Sequence, residues 1–192
     1  MNPGSVAAIS VVIISQLYFL ASEARTTILT THGQDNSADK GTLTRIWVYI
    51  ALALAGAWVI AILSPGRILA PGGWLTWAGI AVMISGLAFR RYVISFLGRY
   101  FTATIQIRQN HELVTTGPYS KIRHPSYLGI LVFTVGSGIS MANWISLLLC
   151  FILPTIGIIR RIRVEEKRML RHFGQRYQDY MQSTRHIIPY IY

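Results

Sequence analysis

Residues 124–166 read HPSYLGILVFTVGSGISMANWISLLLCFILPTIGIIRRIRVEE. Two apolar runs meet at about Ala142, and polar residues close both ends. Counting back 18 residues from Ala142 reaches His124, and counting forward 18 reaches Arg160. At about 1.5 Å per residue each arm is about 27 Å long, close to the ~30 Å of bilayer hydrocarbon. A hairpin of two spans therefore returns 121–127 (KIRHPSY) and 160–166 (RRIRVEE) to one membrane rim. The cluster expected there contains His124, Tyr127, Arg160, Arg161, Glu165 and Glu166. Pro125 suits the first turn of a helix, where its missing N–H costs nothing. The start of that helix turns free N–H groups outward, a setting that favours a carboxylate or phosphate. Arg161 and Glu165, four apart on a helix, are expected side by side.

Working outward, three more apolar segments reach span length, at residues 6–21, 46–63 and 74–89. With 127–141 and 144–159 this makes about five transmembrane helices. The fold class expected is an all-α polytopic membrane protein with a short cytoplasmic hairpin or loop and a C-terminal cytoplasmic helix. No Lys or Arg precedes the first segment, so the positive start of a signal peptide is missing and the segment reads as a retained span. The whole chain agrees. Of 192 residues 52% are hydrophobic and 13% charged, about half the charge of a soluble domain, and mean hydropathy is +0.42. A disordered basic tail and an ordinary soluble nucleic-acid binder are both excluded by this balance. The single Cys150 allows neither an intrachain disulfide nor a Cys-rich zinc site.

Positive charge gives the orientation. Loops on one side hold seventeen Lys and Arg against one, Arg67, on the other. This pattern sets the N-terminus outside and the C-terminus in the cytoplasm. The net charge of +11 then reads mainly as topology and lipid-headgroup contact, including Arg90, Arg91 and Arg99 after the third span.

Between the halves, residues 31–44 are polar and aperiodic, a linker. After the third span, 101–107 (FTATIQI) alternates apolar and polar residues, the signature of a strand. Leu113-Val114 is placed to pair back, and Thr116-Gly117-Pro118-Tyr119 makes a turn. Beyond Arg160 the apolar positions Ile162, Met169, Phe173, Tyr177 and Tyr180 recur at helical spacing, with Glu166 inside their stripe and Gly174 a weak point. Gly136-Ser137-Gly138 suits close helix packing, and Cys150 a small packing residue. His32 and His186 stand alone, and no metal-ligand spacing occurs. The chain divides at about residue 97, three spans before it and the hairpin half after it.

Taken singly, each rim residue has a structural reading: His124 as a helix cap, the arginines as stop-transfer charges, and the acids as their neutralisers. Jointly the acids say more, since only seven exist and two are adjacent at the membrane boundary.

The stretch from His111 to Tyr119 (HELVTTGPY), then Arg123 to Gly129 (RHPSYLG), Arg161 with Glu165-Glu166, and Phe173-Gly174 with Tyr177 and Tyr180, resembles the isoprenylcysteine carboxyl methyltransferase family. The membrane phospholipid N-methyltransferases are its wider relatives. The resemblance covers about residues 97–189. It implies S-adenosylmethionine as cofactor, in a pocket at the cytoplasmic rim lined by Gln106, His111, Glu112, Leu113, Val114, Tyr119, His124, Pro125, Ser126, Tyr127 and Glu165. It implies that Arg161 faces the acceptor substrate, a lipophilic or prenylated molecule, with membrane lipid around it and no nucleic acid. An amine acceptor stays open at this point. So do an NADPH-dependent membrane reductase, which would want basic residues where this cluster offers acids, and a non-enzymatic membrane subunit.

Overall fold

The computed structural model describes residues 3–31, 41–63, 65–68, 73–103 and 112–187. The order is α1 (Pro3–Thr31), α2 (Thr42–Leu63), α3 (Trp74–Leu97), α4 (Pro125–Ser140), α5 (Trp144–Phe173) and α6 (Gln175–Ser183). Four of them, α1, α2, α3 and α5, are long and apolar enough to cross a membrane, and α4 is a shorter apolar helix. The protein is an all-helical, multi-pass membrane protein. Among the described residues there is no strand. Most of the expected hairpin falls on residues 104–111, which lie outside the described residues, and 112–115 is irregular. The expected turn appears as a 3₁₀ turn at Gly117–Ser120.

α3 and α4 pack closest, through reciprocal small residues. Gly79, Met83, Gly86 and Arg90 recur along one face of α3, opposite Ser140, Gly136, Phe133 and Gly129 on α4. A methyl added at Gly86 would sit 2.5 Å from the Phe133 amide nitrogen, and one at Gly129 would sit 2.6 Å from Arg90 Cβ. Backbones approach this closely in membranes only where side chains are absent. Gly136 thus has the packing role its sequence context suggests. The core beside this interface stacks Phe19 of α1 on Phe133, ring centroids 4.1 Å apart. Ile46, Ile50, Met83, Ile130, Cys150, Ile158 and Ile162 surround them.

The hairpin turns at Ala142, with φ 47°. Asn143 caps α5 by accepting from the Ile145 and Ser146 amides at 3.0 and 3.1 Å. Its amide also donates to the Pro65 carbonyl (2.7 Å), tying the α2–α3 connection to the turn. α5 then runs without interruption through the fifth span and the first part of the tail. It ends at Gly174, whose φ of 55° is easy only for glycine. The tail helix expected from Arg160 to Met181 is therefore the end of α5 plus the separate α6.

Two arginines do not behave as headgroup charges. α3 continues past Phe89, so Arg90 lies inside the bundle. Its Nε and Nη2 donate to the two oxygens of Glu23 on α1, at 2.7 and 2.5 Å, and both side chains are buried. Arg123 is likewise buried and committed to Glu166. The physical reason is phase: both fall on helix or loop faces that point into the protein.

The chain returns after α6. Residues 184–187 run beside 121–124 as a short strap. The Arg123 amide donates to Arg185 O (2.8 Å), the His124 amide to His186 O (2.9 Å), and the Arg185 amide to Lys121 O (3.0 Å).

Candidate active site

The folding back at Ala142 brings the two rim segments together. His124 Nδ1 lies 3.8 Å from Glu165 Oε2. The Tyr127 hydroxyl, one turn into α4, donates to that same oxygen at 2.7 Å. It accepts in turn from Arg161 Nε, also at 2.7 Å. Arg161 and Glu165 thus flank one phenol rather than standing alone side by side. Arg161 is buried. Its other nitrogens donate to Thr42 Oγ1 at 3.0 Å and to the Ala103 carbonyl. A buried guanidinium needs such a set of acceptors to offset its lost hydration.

Behind this layer sits Glu166. One oxygen accepts from Arg123 Nε at 2.7 Å and lies 3.2 Å from His124 Nε2, while the other lies 3.1 Å from His186 Nε2. His186 is therefore part of the cluster, not an isolated residue. Burial pushes its imidazole below the ordinary value, and the Glu166 carboxylate pulls the other way. Arg160 is not part of the cluster. One residue before Arg161, it points about 100° away on α5 and donates to the Tyr49 hydroxyl of α2 at 2.6 Å.

A cavity opens among these residues. Of the residues expected to form a pocket, Glu112, Leu113, Val114, Tyr119, His124, Ser126, Tyr127, Arg161 and Glu165 line it. Pro125 is buried at the first position of α4 and is not in the lining. Gln106 and His111 lie outside the described residues. The lining also takes Glu23, Thr27, Leu43, Trp47 and Arg90 from the first three helices, and Tyr177 and Tyr180 from α6. Burial raises the phenols of Tyr119, Tyr177 and Tyr180 well above their ordinary range, so they remain donors. The Tyr180 hydroxyl donates to the Tyr119 carbonyl at 2.6 Å and closes that wall. Arg90 Nη1 donates to the Ser126 carbonyl at 3.0 Å and joins the ion pair to the start of α4.

Sequence reasoning missed Glu23, Arg90, Arg123 and His186. Glu23 carried one usable signal: it is the sole acid in a 29-residue apolar helix, and an ionisable group in such a place needs a partner. Among the described residues no group of three or more His, Cys, Asp or Glu could hold a metal ion.

This cavity can be set beside known proteins. The isoprenylcysteine carboxyl methyltransferase (ICMT) family matches residues 78–171. Protein-S-isoprenylcysteine O-methyltransferase A of Arabidopsis thaliana is 30% identical over 191 residues, covering 97% of this chain and 95% of its own length. The chain belongs to the isoprenylcysteine carboxyl methyltransferase family. Protein-S-isoprenylcysteine O-methyltransferase B of the same plant is 34% identical over 120 residues, 62% of this chain and 61% of that relative, so this match spans under two thirds of it. Among solved structures, the eukaryotic intramembrane Ras methyltransferase ICMT superposes with a TM-score of 0.76 at 24% identity, over 100% of this chain and 69% of that one. The shared fold is thereby clear. The resemblance read from the RHPSY and paired-acid motifs is borne out. The phospholipid N-methyltransferase, reductase and non-enzymatic readings gain no such support.

Proposed function

We propose that the rim cavity binds S-adenosylmethionine and that this chain methylates the carboxylate of an isoprenylcysteine or a similar lipophilic acceptor. The observation that carries this reading is the convergence of His124, Tyr127, Glu165 and Arg161 on one cavity. Its lining suits the donor. S-adenosylmethionine is a sulfonium with an amino group and ribose hydroxyls, and the wall offers the carboxylates of Glu112 and Glu165 beside the rings of Tyr119, Tyr127 and Tyr177. Carboxylates and aromatic faces both attract such a cation.

When bound, the donor supplies an electrophilic methyl group on sulfur. Glu112, Glu165 and His124 hold its polar groups, while Leu113, Val114 and Tyr119 cover its apolar parts. Ser126, with Pro125 fixing the backbone before it, offers the start of α4 to its carboxylate. The family resemblance adds Gln106 and His111 to this donor-binding set. The acceptor carboxyl, with an ordinary value of ~3.3–3.7, is already ionised at neutral pH. No side chain has to remove a proton from it. Positioning is the main task, and alignment alone supplies about 7–11 kcal/mol. Arg161 is the residue assigned to it, a guanidinium that keeps its positive charge in the cavity wall to attract the acceptor carboxylate. Tyr127 joins Arg161 to Glu165, so the acceptor and donor sides share one hydrogen-bonded unit.

A lipophilic acceptor accounts for the membrane setting: its tail stays among the helices while its carboxylate reaches the rim. Residues 97–192 form the methyltransferase half, and the three preceding helices complete its walls. The charge asymmetry supports a cytoplasmic site and C-terminus with the N-terminus outside.

The test is transfer of a labelled methyl group from S-adenosylmethionine to an S-prenylated cysteine with a free carboxylate. A base-labile product, as a methyl ester must be, is expected. A base-stable label on lipid amines, or no transfer to any prenylated or lipid acid, overturns the reading.

A further inference from the structure

Glu166 has three side-chain partners at the rim, yet it does not line the cavity. It faces Arg123, His124 and His186, all within 3.2 Å. Arg123 is pinned from its far side: Nη1 donates to the Thr184 carbonyl (2.6 Å), Thr184 Oγ1 (3.1 Å) and the Met181 carbonyl (3.1 Å). The strap of residues 184–187 then binds the backbone of Arg123 and His124 directly. His124 is thus held by its main chain through the strap and by its ring through Glu166.

The ring contact has a chemical consequence. A carboxylate only accepts, so the imidazole nitrogen facing it must carry hydrogen. Nε2 therefore holds the proton in either charge state. In the neutral ring this leaves Nδ1 as a lone-pair acceptor. Nδ1 faces Glu165 Oε2 at 3.8 Å, beyond hydrogen-bond distance. Two acceptors side by side at this spacing form a seat for one group with several hydrogens, such as an amino group or a vicinal diol.

We propose that Glu166, braced by Arg123 and by His186 of the strap, is a positioning residue that fixes the Nε2–H tautomer and the orientation of His124. It thereby sets the pocket's affinity for its donor from outside the pocket, and the strap is coupled to that affinity. The inference rests on the donor-pocket reading above for its affinity effect, but not for the tautomer.

The experiment uses the full chain in detergent, labelled with ¹⁵N-histidine and assigned by single His substitutions. In the ligand-free wild type, at a pH where the His124 ring is neutral, one protonated nitrogen, Nε2, and one bare nitrogen, Nδ1, are expected. In Glu166→Gln the signals move to a mixture of tautomers, because a carboxamide both donates and accepts. The Kd for S-adenosylmethionine rises about tenfold, the worth of a hydrogen bond to a charged group, while kcat at saturation changes less than KM. His186→Ala weakens binding less, and His186→Gln, which keeps a donor, restores it. Should Glu166→Gln fail to fold, the partly exposed His186 pair tests the effect on affinity and the wild-type ¹⁵N spectrum tests the tautomer. An unchanged His124 tautomer with affinity within twofold of wild type in these variants overturns the proposal. Absence of S-adenosylmethionine binding to the wild type overturns the donor reading instead, and the ligand-free ¹⁵N spectra then decide the tautomer claim alone.

Discussion

The two ends of the α4–α5 hairpin are built on opposite principles. Toward the turn, α4 meets α3 through Gly79 and Gly136, with no room for another carbon. At the rim, α4 meets α5 through Tyr127, Arg161 and Glu165, and Glu166 of α5 pairs with Arg123 just before α4, all by hydrogen bonds. The first end fixes register by shape, and the second uses that register to aim polar atoms. In a bilayer there is little hydrophobic drive between helices, so close packing of small residues must supply the rigidity. The polar network then needs no flexibility of its own to stay aligned.

The Glu23–Arg90 pair lies between these regimes, and its removal should have the largest effect. Arg90→Met alone leaves a buried carboxylate, at a cost of about 3–5 kcal/mol, seen as loss of monodisperse protein on size exclusion. Adding Glu23→Leu should restore folding. If the double variant folds and also binds donor normally, the pair belongs to the packing regime; if it folds but binds poorly, the pair belongs to the site. Next, Gly136→Ala should lower stability by about 1–3 kcal/mol through overpacking, with donor affinity preserved in the folded fraction. An equal loss of affinity and stability would break the division between the two ends. Tyr127→Phe should do the reverse. Deleting one oxygen leaves Arg161 Nε and Glu165 Oε2 without their shared partner, so donor binding weakens about tenfold with only a small shift in Tm. Finally, Asn143→Ala removes a helix cap at the turn. About 1 kcal/mol of stability should go, with no change in binding.

Much of this was legible because it depends on local sequence. The hairpin follows from two run lengths and one turn, so the meeting of His124 with Glu165 could be read from counting. Pro125 at a helix start and the turn at Gly117 are equally local. What could not be read was phase. Arg160 and Arg161 are adjacent in sequence, yet only Arg161 enters the site, because packing of α5 on α2 sets the helix rotation. Glu23 and Arg90 are 67 residues apart, and His186 reaches Glu166 only because the chain reverses after α6. Charges that looked like headgroup contacts, Arg90 and Arg123, are buried for the same reason. Residue type marks them as basic but does not say which way a helix faces.

The account stands most directly on Glu165, the acid that the hairpin sets beside His124 and Tyr127. Equilibrium binding of S-adenosylmethionine to purified protein, wild type against Glu165→Gln, tests it. Saturable wild-type binding, weakened about tenfold or more in the variant at matched Tm, is the expected result. Equal affinities in two folded proteins would contradict it.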